Sequence, residues 1–211
     1  LSDALGVKID YFFRKVSVEI GEVDFRKYSN FGKKQQEMLQ ERVKEELERY
    51  IELEQILDLD REFLNPLEHF EINNAEDIEN AANEVRKKWN LGMDELPNIM
   101  QMIELRDIKV IYSRDDSVRF SGLSGWAWNN ERHPFIVLND NEQLPLDRKR
   151  FTAAHELGHL LLGKKLGENS DHEKIANRFA GAFLLPEEAI KKELGDSRKH
   201  LSVYELTELK R

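Results

Sequence analysis

The chain has 211 residues, 40 % apolar and 35 % charged, enough to bury the core of one medium domain with an appendage, or of two small domains. Its 32 Lys plus Arg against 41 Asp plus Glu leave a net charge of −9, the wrong sign for a general binder of phosphate backbones. There is no cysteine, which excludes disulfide frameworks, thiolate zinc sites, Fe–S clusters and Cys nucleophiles, and fits a reducing, cytoplasmic setting.

Residues 1–15, LSDALGVKIDYFFRK, are apolar for their length, with Ser2 placed to cap a short helix and Gly6 to end it. They read as the end of an element that begins upstream; with Leu rather than Met at position 1, the chain is expected to be a piece of a longer one. VSVEI (16–20) alternates apolar and polar as a half-buried strand does, and Val23 and Phe25 can begin a second extended piece. From Lys34 to Asp58, Leu39, Val43, Leu47, Tyr50 and Ile51 recur at spacings of three and four. That spacing predicts a long amphipathic helix packed on a core, with a dimerisation or regulatory arm as the sharper alternative. Asn65-Pro66 breaks the pattern.

Ile78, Ala81, Ala82, Val85 and Trp89 line one face of a helix over 75–90, with Asn74 as its cap. A helix over 94–105 follows, with Pro97 in its first turn. The period then switches to β-type in IKVIY (108–112), GLSGWAW (122–128) and PFIVLN (134–139), which predict a small three-stranded sheet. Beyond Pro145 the pattern is helical, over 145–162, 171–184, 186–194 and 201–210. The order is that of an α+β fold. No apolar run approaches the ~20 residues of a membrane span.

The chemistry sits in FTAAHELGHLLLG (151–163). His155 and His159, four residues apart, lie one above the other on a helix face, so both imidazoles can reach one ion at ~2.0–2.1 Å. Glu156, next to the first His, is placed to take a proton from a water, the pattern of zinc-assisted hydrolysis. Gly158 costs about 1 kcal/mol of helix propensity, which makes sense if another segment must approach closely. A third ligand is needed. Position 165 is Lys, which excludes an all-His set at metzincin spacing. Glu168, Asp171, His172 and Glu173 are candidates, but Ser170 with Glu173 also reads as a capping box. Ala176 and Ala180 give Glu173 a small-residue face that can pack close to the motif helix. His172 has its own apolar neighbours and stays open beside it.

HELGH preceded by Arg150-Phe151-Thr152, then Glu173 with Ala176-Asn177, Phe179-Ala180 and Leu184-Leu185-Pro186, resembles the ImmA/IrrE family of bacterial and phage metallo-endopeptidases. The likeness covers about residues 75–190. It implies a mostly helical, zincin-like metallopeptidase domain with a small three-stranded sheet, preceded by a strand and a long helix. It implies zinc held by His155, His159 and Glu173, with Glu156 as the base and Asn177 or His172 as supports for the ligands. It also implies a protein substrate, a helix-turn-helix repressor whose cleavage derepresses mobile-element or stress-response genes. Residues 1–15 resemble the closing part of a Cro/repressor-type helix-turn-helix domain, so DNA binding is expected only through a missing N-terminal part. The expected division is 1–15, the end of that domain; 16–65, a linker strand and long helix; and 66–211, the peptidase domain. The alternative function is a transcription regulator whose peptidase-like domain senses or binds without hydrolysing.

The edge strand of the sheet is expected to receive substrate by β-augmentation. The long helix is a candidate to cover the cleft, and a dimer is one option for the assembly. His133 is expected in a surface turn, Tyr112 in the core, Trp126 and Trp128 on one sheet face, and Arg148-Lys149-Arg150 on a solvated helix face.

Overall fold

The computed structural model describes residues 18–21, 33–59, 61–114, 120–167 and 170–195, with Ser202 and Glu205. The expectations for 1–15, for Val23 and Phe25, and for most of the helix at 201–210 lie outside these residues. In chain order the elements are β1 (Glu19–Ile20), α1 (Lys33–Ile56), α2 (Glu76–Lys88), α3 (Ile99–Glu104), β2 (Lys109–Ser113), β3 (Gly122–Asn129), β4 (Glu131–Asn139), α4 (Leu146–Leu162), α5 (His172–Leu184) and α6 (Glu187–Leu194). The fold is α+β.

The sheet has four strands, not three, in the order β1-β3-β4-β2. The fourth is the strand expected ahead of the long helix: Glu19 and Ile20 pair antiparallel with Trp128 and Ala127. β3 and β4 form an antiparallel hairpin, and β2 runs parallel to β4. Asn130 makes the hairpin turn at φ 58°, a left-handed conformation that asparagine tolerates.

Alternation along β4 sends Phe135 and Val137 to one side of the sheet and Ile136 and Leu138 to the other. The first side is covered by α1 through Val43, Leu47 and Ile51, one residue per turn. Those three side chains, at about 1.5–3 kcal/mol each, are what hold a 24-residue helix that is charged elsewhere. Lys109 of β2, fully buried, adds an ion pair to Glu54 at 2.6 Å. Burial first, then Glu104 and Glu54, pushes the neighbouring Tyr50 hydroxyl up to about 12. The long helix therefore lies behind the sheet and does not cover the motif helix, because its single apolar stripe is consumed by the sheet.

The other side carries the larger core, built by α2, α3, α4 and α5 around Leu157, Leu161, Phe179 and Phe183. α2 starts where Asn74 Oδ1 accepts the amides of Glu76 and Asp77. α3 is shorter than the expected 94–105. Asn98 is its cap, accepting the Gln101 amide at 3.1 Å, so Pro97 falls before the helix instead of in its first turn. His133 is buried opposite Ala127 on the α1 side of β4, neither in a surface turn nor near the motif. Tyr112 is half exposed near the end of β2, not in the core. Trp126 and Trp128 do share a face, and the guanidinium of Arg132 lies 3.6 Å from the Trp126 ring centre.

Candidate metal centre

α4 presents His155 and His159 half-buried, with Ala153, Ala154, Leu157 and Leu161 on its buried side. The two Nε2 atoms lie 3.0 Å apart. α5 begins at His172, one residue later than a Ser170 cap would place it. Asp171 is the cap instead, accepting the Lys174 amide at 3.1 Å, and that hydrogen bond holds its carboxyl below the usual carboxylate range. This start leaves the Glu173 carboxylate to the histidines: Oε2 is 3.3 Å from His155 Nε2, and Oε1 is 3.3 Å from His159 Nε2.

Two imidazole nitrogens and one carboxylate are a zinc-type donor set. Ligands at ~2.05 Å in a tetrahedron lie about 3.3 Å from one another, which is the spacing of these three groups. His155, His159 and Glu173 form the group able to hold a metal among the described residues; His172, one position along, is outside it. Asn177, one turn after Glu173, places Oδ1 3.0 Å from His155 Nδ1. With Nδ1–H donating to that carbonyl, Nε2 presents its lone pair toward His159 and Glu173, where an ion would sit.

The approach of α5 depends on Gly158. A Cβ there would come 3.0 Å from Phe179 Cδ1 and 3.4 Å from Ala176 Cα. A second close approach comes from the sheet. A Cβ at Gly122 of β3 would meet Thr152 Cγ2 at 2.5 Å and the Val137 carbonyl at 3.0 Å. That contact brings Ser124 over the motif helix, where its hydroxyl donates to Glu156 Oε2 at 2.7 Å. Glu156 is only 6 % exposed. Nothing in the motif points to Ser124, although its alternation with Trp126 and Trp128 places it on their face.

These groups open onto a cleft of about 1720 Å³, lined among others by Gly122, His155, Glu156, Glu173 and Leu185. Its walls are held by two arginines. Arg86, buried, donates to the carbonyls of Gly92, Asp94 and Phe183 at 2.6–2.9 Å, tying the 92–94 loop to the end of α5. Burial lowers its pKa from the ordinary value. Arg150 donates to Leu96 O at 3.0 Å, so the basic run 148–150 is in part a structural brace.

A model of the M78 peptidases, described as the IrrE N-terminal-like domain, matches residues 103–211, just over half of the chain. The chain belongs to this family. The match takes in the β-hairpin, the motif helix and α5, and so all three residues of the cluster. M78 is a metallopeptidase family, so membership supports a peptidase role and a protein substrate. The chain matches no curated protein and no solved structure. Among its described residues no helix is long and apolar enough to cross a membrane.

Proposed function

We propose that the chain is a zinc-dependent regulatory endopeptidase in which His155, His159 and Glu173 hold the metal and Glu156 is the general base. The observation that carries this reading is the convergence of the three groups at 3.0–3.3 Å with a buried carboxylate next to the first of them. A bound zinc ion supplies Lewis acidity that activates water and polarises the scissile carbonyl. Glu156 takes the proton of the attacking water and returns it to the leaving amine. Asn177 fixes the ring of His155 through Nδ1.

Substrate docks along β3. The Trp126 carbonyl accepts from Gly21 at 2.9 Å, so its polar backbone groups face away from β4. Ser124, two residues earlier, faces the same way. Among the described residues no strand pairs with β3 there, and an extended peptide can add by β-augmentation beside Glu156. Residues 66–211 carry the peptidase unit, and α1 braces its sheet from behind. The substrate is a helix-turn-helix repressor of the same source, and its cleavage derepresses the genes it controls in the cytoplasm.

The test is to load the chain with zinc, add candidate repressors from the same source, and compare wild type with Glu156→Gln. Zinc uptake by both proteins is expected, with cleavage by wild type and a loss of about 10²–10⁴-fold in Glu156→Gln. No zinc uptake, or cleavage that Glu156→Gln leaves untouched, sinks the reading. Uptake without cleavage favours a non-hydrolytic sensor.

A further inference from the structure

We propose that Ser124 is a positioning residue for the base: its hydroxyl fixes Glu156 in one orientation beside the candidate metal ligands. The inference rests on the peptidase reading and extends it to a residue outside the motif. Three observations carry it. Ser124 Oγ donates to Glu156 Oε2 at 2.7 Å, a short bond of the charge-assisted kind. Glu156 is nearly buried, where a carboxylate without a donor is costly and where a fixed donor holds it in one orientation. The strand lies this close to the helix at Gly122, where a Cβ would meet Thr152 Cγ2 at 2.5 Å.

Anchoring Oε2 through the hydroxyl holds the carboxylate in one orientation toward the proton of the attacking water. Ser124 sits on a strand paired with β4, so the bond fixes Glu156 relative to the sheet, which is how a strand-mounted group keeps a reacting geometry.

The test uses the zinc-loaded full chain with fluorescein-labelled casein as the probe, or a repressor if one is cleaved. Ser124→Ala is expected to lower kcat by about tenfold or more, part of the ~10²–10⁴ that a positioned base contributes, with KM within about twofold. Zinc uptake should be unchanged. Ser124→Thr, which keeps the hydroxyl and suits a strand, should recover most of the lost kcat. A second measurement needs no activity. In urea unfolding of the metal-free chain, the midpoint shifts of Ser124→Ala and Glu156→Ala should be non-additive in the double variant, because either change removes the same bond.

A Ser124→Ala kcat within twofold of wild type, a Thr variant no better than Ala, or additive urea shifts overturns the role of Ser124. A wild type that hydrolyses neither probe, or hydrolysis that Glu156→Gln leaves unchanged, defeats the peptidase reading and the catalytic role of Ser124 with it. The urea cycle then still decides whether the two side chains are coupled.

Discussion

The motif helix is approached closely from two sides, and the two contacts are built differently. α5 comes in over Gly158, where the missing Cβ belongs to the helix itself and the nearest neighbour is the ring edge of Phe179 at 3.0 Å. β3 comes in through Gly122, where the missing Cβ belongs to the strand and the neighbours are Thr152 Cγ2 at 2.5 Å and the Val137 backbone at 3.0 Å. The helix contact would need its neighbour to give by only a few tenths of an ångström. The strand contact leaves less room, since Thr152 Cγ2 stands at 2.5 Å and the Val137 carbonyl of the paired strand closes another side. The first contact brings Glu173 to the histidines, and the second brings Ser124 to Glu156. On the proposed reading, metal binding depends on the looser joint and alignment of the base on the tighter one.

The largest effect should come from removing what the helix contact brings in. Glu173→Ala is expected to weaken zinc by more than the ~10–100-fold that loss of a supporting hydrogen bond costs, read by competition with a chelating dye. Asn177→Ala, on the same helix, is that supporting loss and should fall within the ~10–100-fold range. If the two variants bind zinc equally, Glu173 is not a ligand.

The strand contact should break next. Gly122→Ala is expected to cost about 1–3 kcal/mol in urea unfolding, the range for overpacking a tight site. Thr152→Ser in the same chain removes the methyl at 2.5 Å and should restore part of it, but not all, because the Val137 carbonyl remains. The smallest change is expected at the helix contact. Gly158→Ala gains about 1 kcal/mol of helix propensity, which offsets a shift of α5 by a few tenths of an ångström. Its net stability should stay within about 1 kcal/mol of wild type, while zinc affinity drops a few-fold. A Gly158→Ala variant destabilised as much as Gly122→Ala would erase the distinction between the two joints.

The two joints also differ in how far they can be read from residues alone. At the helix joint HELGH and the small face of Ala176 and Ala180 are local patterns, because a helix converts sequence spacing directly into a shared face; spacing alone leaves His172 open beside Glu173, and the family resemblance points to Glu173. The cost of Gly158 in a helix was a further clue. The capping residue was not legible to that depth: Ser170, Asp171 and Glu173 are all good terminus formers, and the backbone selects Asp171. Likewise the length of α3 turned on whether Pro97 or Asn98 opened it, and the Asn98 side chain decided.

His133 and Tyr112 lie elsewhere than their local sequence suggests, for a shared reason. A strand fixes alternation but not which side meets which helix, and not how much of a strand end is covered. His133 went to the α1 side, and Tyr112 sits near a strand end where the covering layer thins. The long helix was legible as amphipathic, with Val43, Leu47 and Ile51 in one stripe. Nothing along its length said that the stripe would meet the back of the sheet.

The residues by themselves determined the α+β order, the donor types and the cluster candidates, because helical and strand periods are local and a chain without cysteine can offer a catalytic zinc only imidazole and carboxylate. Tertiary structure alone decided that β1 joins the sheet, that α1 lies behind it, and that Ser124 meets Glu156 across a gap of 32 residues in sequence. Those outcomes depend on which surfaces bury each other and how closely, and closeness here is set by the volume of a single absent methyl at Gly122.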